Sequence, residues 1–223
     1  MLKTASEKHF DKVAKNYDYY KNKNSFYYEN LKKLLAELIP KNKIVLEFGC
    51  GTGDLLASLR PKNGYGMDIS GQMILIAKDK YQNLKNLHFS TKLPSDIYHQ
   101  PLEYIFMSDV IEHLDNPNET FLKIRELMNK ETIFICTMAN PFWEPVLMIA
   151  EKLGLKMPEG PHHRLKISDL RFMINEAGMK IIKHDYKLLM PIKIPLLTNF
   201  ANKYLEKYLK KFAFIEYFTA VKA

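Results

Sequence analysis

Two groups of ionisable side chains in this chain have the residue types of acid–base chemistry. Asp109, Glu112 and His113 directly follow an apolar run that is typical of a buried strand, and His162 and His163 lie in a loop rich in proline and glycine. A carboxylate or imidazole that takes a proton from a hydroxyl or phenol contributes about 10²- to 10⁴-fold to a rate. We therefore predict His113, Asp109 and His163 as catalytic residues; the alternative for His163 is an exposed loop position.

A turn with one acid and three glycines lies within residues 45–56. Glu47 stands near the end of an apolar run, and Gly49, Gly51 and Gly53 follow at alternate positions before an amphipathic stretch. The pattern predicts a strand, a tight loop and a helix start whose free N–H groups face a ligand. Dinucleotide enzymes favour G-x-G-x-x-G instead, with a pyrophosphate that Glu47 would repel. An ammonium group would be attracted to that acid by about 1 to 4 kcal/mol.

This E-x-G-x-G-x-G sequence resembles the first motif of the class I, Rossmann-like, S-adenosylmethionine-dependent methyltransferases. The resemblance extends to the small-molecule types 11 and 12 and the ubiquinone-pathway O-methyltransferases. It implies S-adenosylmethionine as the cofactor, bound by Glu47, Gly49, Gly51 and Gly53. Further motifs of the same family follow in the same order along residues 40–140.

A second motif, residues 65–70, predicts a short strand that ends in an acid. Asp68 follows Gly49 by 19 residues, and in nucleotide-binding sheets an acid at about 20 residues binds ribose hydroxyls. The resemblance implies that role for Asp68 and packing of Ile69 on adenine. The alternative for Asp68 is to cap the next helix, although Ser70 is better placed for that cap.

Three further positions complete the implied cofactor site. Residues 104–114 resemble the family's fourth strand and its V-I/L-E-H-L segment, with Ser108 contacting the cofactor. Thr91 lies where relatives often carry an Asp that touches the adenine amine, and its hydroxyl is expected to replace that contact. Tyr17 belongs to a segment, residues 10–18, that resembles the N-terminal helix folded over the cofactor.

The segment Asp109-x-x-Glu112-His113 also resembles the E-x-x-E-H segment of ubiquinone-pathway O-methyltransferases. In those enzymes the three side chains hold a divalent cation, and carboxylates with one His suit Mg²⁺ or Mn²⁺. Asp replaces the first Glu here, and V-I-E-H-L is widespread in members without metal. The alternative for Glu112 is capping or pairing within the fold. We predict no metal.

Alternating strand and helix patterns predict the fold class. They indicate an α/β fold with a Rossmann-like, doubly wound, mostly parallel seven-stranded sheet, and the resemblance implies that the last strand is antiparallel. Every motif described above falls at the carboxyl end of a predicted strand, where such sheets bind ligands. The strands are predicted over residues 43–48, 64–68, 87–90, 103–107, 132–137, 179–190 and 214–222.

The length predicts a single methyltransferase domain over residues 1–223. Within it we expect N-terminal cap helices over residues 1–40 and a cofactor-binding core over 41–140. Two segments exceed a minimal domain, residues 141–167 and 191–213, and are predicted to be helical lid insertions around the acceptor. The second insertion is predicted to contain one helix, over residues 196–212.

The composition excludes some classes of protein. No run of 18 apolar residues exists, which excludes a spanning helix, and the N-terminus has no apolar signal core. Cys50 and Cys136 form no metal-binding motif and are expected to be core residues in a reducing compartment. The sequence therefore predicts a cytoplasmic location.

Lysine gives the chain a net charge of +8 at pH 7. Residues 1–43 carry ten Lys against five acids, and residues 187–223 carry seven Lys against two. Nucleic acid or an anionic membrane surface would be attracted by this excess. The alternative is an ordinary solvated surface.

The second insertion favours a hydrophobic acceptor. Its aromatic residues recur at every fourth position between lysines, as in helices that lie in a membrane interface; they are Phe200, Tyr204, Tyr208 and Phe212. We predict methyl transfer, most simply at oxygen, to a small hydrophobic or lipid-linked acceptor, with peripheral contact to an anionic membrane at its inner face. The alternative is that the stripe is ordinary core.

Two other functions fit the sequence. The acceptor could be a soluble polar metabolite or sugar, with the insertions as plain lids. A non-catalytic module that binds the cofactor or nucleic acid is the other alternative, against which the intact Glu47 and Asp68 argue. No nucleic-acid-binding motif is recognisable, so no nucleic-acid partner is expected. The oligomeric state is not predicted.

Overall fold

A seven-stranded sheet forms the centre of the described part of the chain. The computed structural model describes residues 3–158, 160–161 and 165–223. The strand order is β3-β2-β1-β4-β5-β7-β6; β1 to β5 are parallel, and β7 is antiparallel to β5 and β6. The predicted fold class is confirmed. The strands are β1 Ile44–Phe48, β2 Asn63–Met67, β3 Leu87–Ser90, β4 Tyr104–Ser108, β5 Ile133–Ala139, β6 Met179–Lys187 and β7 Ile215–Lys222.

Helices cover both faces of this sheet, as expected for buried parallel strands. One apolar cluster joins the sheet to α5 and α7 through residues such as Phe121 and Leu170. A second joins the other face to α2, α3 and α4 through residues such as Leu35, Leu56 and Ala77. The helices are α1 Ala5–Lys23, α2 Ser25–Leu38, α3 Asp54–Ser58, α4 Gly71–Lys80, α5 Pro117–Leu127, α6 Glu144–Lys152, α7 Ile167–Glu176 and α8 Leu197–Phe200.

The strand order reverses next to β1, which has β2 on one side and β4 on the other. β2 and β3 lie on one side of β1, and β4 and the later strands lie on the other side. Loops that leave the carboxyl ends of β1 and β4 therefore diverge and open a crevice, which is the usual ligand position in such sheets. The glycine turn follows β1, Asp68 follows β2, and Asp109 follows β4.

The prediction of one helix over residues 196–212 is wrong. The segment forms α8, then a π-helical turn at Ala201–Leu205, and a separate 3₁₀ turn at Lys210–Phe212. The side chain of Asn202 accepts a hydrogen bond from Met190 N at 2.8 Å and donates one to Met190 O at 3.1 Å. This tertiary pairing outweighs the local helical pattern.

The strand predicted over residues 179–190 ends at Lys187. Leu188 has φ 66°, a value outside the strand region. Its N–H donates to a carboxylate oxygen of Glu206 at 2.7 Å rather than to a neighbouring strand. Within the described residues, no helix has the length and the apolar character needed to span a membrane.

Candidate active site

The glycine turn lies at the carboxyl end of β1 and has the left-handed backbone that glycine permits. Gly49, Gly51 and Gly53 have φ values of 71°, 50° and 83°. A Cβ on Gly49 would lie 2.3 Å from Val110 Cγ2, and a Cβ on Gly53 would lie 2.7 Å from the Phe89 ring. Only glycine fits these two positions, because both the backbone angle and the space exclude a side chain.

Glu47 lies beneath this turn and is buried, with 1% of its surface exposed. Its Oε2 accepts a hydrogen bond from Leu56 N at 3.1 Å. Burial raises the pKa of Glu47 well above its usual range, and the ammonium group of Lys21 acts in the opposite direction. A cationic group in the crevice would therefore favour the ionised carboxylate.

Asp68 connects the end of β2 to the glycine turn. Its Oδ2 accepts from Gly51 N at 2.8 Å and its Oδ1 from Ser70 N at 2.9 Å. Ser70 caps α4, since its hydroxyl accepts from Met73 N. Asp68 is therefore not the helix cap, and it lies beside the turn as the sequence predicted. Ile69, the next residue, is 44% exposed.

Thr91 lies just beyond the carboxyl end of β3 and is exposed. Its neighbour Ser90 accepts a hydrogen bond at its carbonyl from Asp68 N at 3.3 Å. This bond places Thr91 on the side of the crevice where Asp68 and Ile69 lie. The adenine contact predicted for Thr91 stays a prediction.

The first helix, α1, packs across the glycine turn. A Cβ on Gly51 would lie 3.1 Å from the Tyr17 ring, so the aromatic ring predicted over the cofactor is close to the turn. Asp11 accepts from the Ser70 hydroxyl at 2.6 Å, and Asp18 accepts from the Thr52 hydroxyl at 2.6 Å. Asp11 and Asp18 are the two aspartates of the F-D…Y-D pattern in residues 10–18.

Sequence reasoning missed the buried ion pair below α1. The Nζ atom of Lys21 lies 3.1 Å from Asp54 Oδ2 and 5.3 Å and 5.1 Å from the ring centroids of Tyr17 and Tyr28. Lys80 Nζ lies 2.6 Å from Asp54 Oδ1. Burial opposes ionisation of Asp54, but these two cations hold its pKa well below the usual range. Lys21 is one of ten lysines within residues 1–43, and nothing in the sequence distinguishes it as a buried one.

Asp109 leaves β4 in an unusual conformation and environment. Its φ is 55°, and its Oδ1 is buried without a hydrogen-bond partner among the described residues. The phenol of Tyr27 donates to Oδ2 at 2.6 Å. Burial, followed by the nearby Glu112 carboxylate, raises the pKa of Asp109 to about 7. Tyr27 was not predicted, because 82 residues separate it from Asp109.

Two other predicted residues lie on the same exit from β4. The hydroxyl Oγ of Ser108 is buried and, like Asp109 Oδ1, lacks a hydrogen-bond partner within the described ranges. His113 ends a short 3₁₀ turn; its Nδ1–H donates to Pro161 O at 3.0 Å, and its ring contacts Phe10 edge-on at 5.2 Å. His163, the third predicted catalytic residue, lies outside the described residues.

A series of aromatic contacts leads from Asp109 to the surface. The Tyr27 ring lies 5.2 Å from that of Phe214, and Phe214 lies 5.6 Å from Trp143, between ring centroids. Trp143 Nε1 donates to Phe212 O at 2.9 Å, and Phe212 contacts Phe142 at 5.0 Å. Phe142 is 58% exposed and Phe212 47%. These five residues, called here the aromatic path, join the β4 exit to both insertions.

The chemistry of the crevice fits S-adenosylmethionine. Glu47 and Asp68, at the ends of neighbouring strands, match an ammonium group and ribose hydroxyls, and the half-exposed Ile69 offers an apolar surface to adenine. Ser108, at the end of β4, supplies a further buried polar atom. Over the residues described, no three His, Cys, Asp or Glu side chains are grouped so that they could hold a metal ion.

Comparison with curated proteins shows two related methyltransferases. The malonyl-[acyl-carrier protein] O-methyltransferase of Marinomonas sp. is 30% identical over 127 residues, covering 52% of this chain and 45% of that protein. The demethylmenaquinone methyltransferase of Chlorobaculum tepidum is 33% identical over 98 residues, covering 39% of this chain and 40% of that protein. The chain thus spans less than half the length of these two relatives.

Solved structures show the same fold. An S-adenosylmethionine-dependent methyltransferase from Thermotoga maritima, described as a possible histamine N-methyltransferase, superposes with a TM-score of 0.71 at 14% identity, covering 98% of this chain and all (100%) of that one. At this identity the likeness concerns the fold alone. Residues 19–184 match the methyltransferase domain family. The chain therefore belongs to this family of methyltransferases, with S-adenosylmethionine as its cofactor.

Proposed function

We propose that this protein transfers the methyl group of S-adenosylmethionine to an oxygen atom of a small hydrophobic or lipid-linked acceptor. The observation that carries the proposal is the aromatic path from Asp109 to the exposed Phe142. A polar metabolite would gain little from contact with Phe142 and Phe212, the exposed end of this path, whereas an apolar acceptor is stabilised by about 25 cal/mol for each Å² it buries.

The transfer needs a nucleophilic oxygen and a place for its proton. When bound, S-adenosylmethionine supplies a methyl group on a cationic sulfur, which leaves as a neutral thioether. The Asp109 carboxylate would take the proton of the acceptor hydroxyl, whose oxygen would receive that methyl group. Positioning contributes up to about 7 to 11 kcal/mol, and a base adds about 10²- to 10⁴-fold.

Asp109 suits the role of base because its pKa, raised to about 7, lies near neutral pH, and a general base is most effective when its pKa is close to the pH of the reaction. The Tyr27 phenol donates to Oδ2 at 2.6 Å, whereas the buried Oδ1 has no hydrogen-bond partner among the described residues and could accept the proton. Tyr27 is therefore a positioning residue. His113 is the second candidate base, and its Nδ1–H is already engaged by Pro161 O.

The relatives' names support different parts of the proposal: one names an O-methyltransferase and the other an apolar quinone acceptor. One is named for demethylmenaquinone and the other for a malonyl group on acyl-carrier protein. The alternative acceptor, a soluble polar metabolite or sugar, predicts no dependence of turnover on the aromatic path. This difference provides the test.

We expect Phe142→Ala to raise the KM for a hydrophobic acceptor by about tenfold, because a lost phenyl contact is worth roughly 1 to 2 kcal/mol. Phe142 is 58% exposed, so its loss leaves the fold intact. The assay follows labelled methyl groups from the cofactor into long-chain phenols and into water-soluble sugars. Phe172→Ala, at a residue 67% exposed on α7, is the matched control. Turnover of sugars, with both variants equal to the parent, would contradict the proposal.

A further inference from the structure

The segment between β6 and β7 contains a loop that displays apolar side chains to solvent. Within residues 191–197, the exposed fraction is 59% for Ile192, 39% for Ile194, 88% for Leu196 and 50% for Leu197. Apolar surface in water is unfavourable in proportion to its area, and contiguous patches of it mark interaction sites. The composition of this loop indicates a surface that contacts another apolar phase.

Hydrogen bonds from below hold the loop in one conformation. The buried hydroxyl of Thr198 donates to Ile192 O at 2.7 Å and accepts from Ile194 N at 2.8 Å. Leu196 has φ 62° and ψ −47°, and Leu197 N donates to Pro195 O at 2.7 Å. These values describe a γ-turn of the rare, strained kind. A leucine at its centre, almost wholly exposed, is not explained by packing within the chain.

The charges around the loop favour an anionic surface. Residues 191–213 contain five Lys and one Glu. That acid, Glu206, is turned inward, where its Oε2 accepts from Leu188 N at 2.7 Å. Lysines near an anionic bilayer each contribute about fivefold to binding. Lys210 is paired with Asp185 at 3.1 Å, and the other four lysines, all exposed, give the segment a positive outward charge.

Aromatic side chains and lysines are interleaved beside the loop. Lys203 Nζ lies 5.2 Å from the Tyr204 ring centroid, and Lys207 Nζ lies 4.6 Å from that of Tyr208. The two tyrosines are 50% and 74% exposed. Tyrosine rings beside cationic heads are typical of protein surfaces at the boundary between lipid headgroups and acyl chains.

We propose that residues 191–212 dock on an anionic lipid bilayer, with Leu196 inserted below the headgroups and Lys203 and Lys207 among them. The inference rests on the proposed function, because docking of this segment would place the bilayer on the side from which a lipid-linked acceptor reaches the site. Phe212 of this segment contacts Phe142 at 5.0 Å. The docking face is thus continuous with the aromatic path to Asp109.

The test is co-sedimentation of the full chain with vesicles of phosphatidylcholine alone or mixed with phosphatidylglycerol. We expect binding to the mixed vesicles only, released by salt because headgroup attraction is screened. Leu196→Gly removes the exposed side chain and suits the positive φ. It should fold as well as the parent and bind about tenfold more weakly, the loss for one inserted leucine. The double variant Lys203→Glu, Lys207→Glu should lose the salt-sensitive part of binding.

Matched controls are Phe172→Ser and Lys130→Glu, an exposed aromatic and an exposed lysine outside the segment, which should bind like the parent. Equal binding by Leu196→Gly and the parent, or no vesicle binding at all, would overturn the proposal. So would a dimer of this chain, or a stable complex with a soluble protein, that Leu196→Gly abolishes. The vesicles contain no methyl acceptor. Vesicle binding can therefore fail while methylation of an acceptor dispersed in solution succeeds, and methylation can fail while vesicle binding succeeds.

Discussion

At the scale of single residues, Asp109 has two features that are energetically unfavourable, a left-handed backbone and a buried carboxyl group. Its backbone has φ 55°, and its carboxyl is enclosed beside Glu112, which raises its pKa to about 7. Strained conformations and displaced pKa values are concentrated at functional sites, although structural ion pairs such as that of Asp54 also displace a pKa. Tyr27 stabilises the arrangement by donating to Oδ2. We therefore propose Asp109 as the residue that takes the proton of the acceptor.

We predict that turnover of the parent rises with pH through about 7, as Asp109 loses its proton, and that Asp109→Asn lowers kcat by about 100-fold or more with a flat profile. Asn also tolerates a positive φ, so the turn is kept. His113→Ala is the comparison: it should reduce turnover but leave the inflection near pH 7. The measurement is initial rate against pH at saturating cofactor. An unchanged inflection in Asp109→Asn would remove this residue from the role of base.

At the scale of elements, one buried carboxylate joins three helices. Asp54 begins α3, Lys21 lies on α1, and Lys80 ends α4. The side chains of Lys21 and Asp54 are only 9% and 17% exposed, so neither charge is well hydrated without the other. The position of α1 over the glycine turn thus depends on an ion pair rather than on apolar packing alone.

This arrangement predicts a specific dependence of stability on pH. The folded-state pKa of Asp54 lies below its unfolded value, so its stabilisation is complete above about pH 4 to 5 and is lost as pH falls below that range. Asp54→Asn should reduce the free energy of unfolding by about 3 kcal/mol or more at pH 7, because Lys21 is left buried without its partner. The difference should shrink at pH 3.

Urea unfolding at pH 7 and pH 3 measures both values. Asp79→Asn, at an exposed residue of α4, is the control and should change little at either pH. A loss of equal size at both pH values in Asp54→Asn would show that packing, rather than the charge of Asp54, holds α1.

At the scale of the whole molecule, the features predicted correctly from the sequence are those that short local patterns determine. The fold class follows from the alternation of strand and helix patterns, and the glycine turn and the position of Asp68 follow from short motifs at strand ends. The contact of Tyr27 with Asp109 and of Lys21 with Asp54 depends on how α1 and α2 dock on the sheet, which no local pattern encodes. The wrong helix over residues 196–212 has the same cause, because Asn202 pairs with Met190, 12 residues away.

The proposed cofactor site draws on α1, the glycine turn and the ends of β2 and β4, so we expect cofactor binding to stabilise the whole fold. At 100 times Kd, a ligand of the native state adds about 2.7 kcal/mol, which raises Tm by about 5 to 10 °C in a chain of this size. We predict that shift with S-adenosylmethionine and none with NAD, measured by calorimetry. Asp68→Ala should reduce the shift at equal ligand, since a hydrogen bond to a charged group is worth about 1.5 to 3 kcal/mol. A shift of full size in that variant would exclude Asp68 from ribose binding, and a shift with NAD would mean that Glu47 does not reject a pyrophosphate.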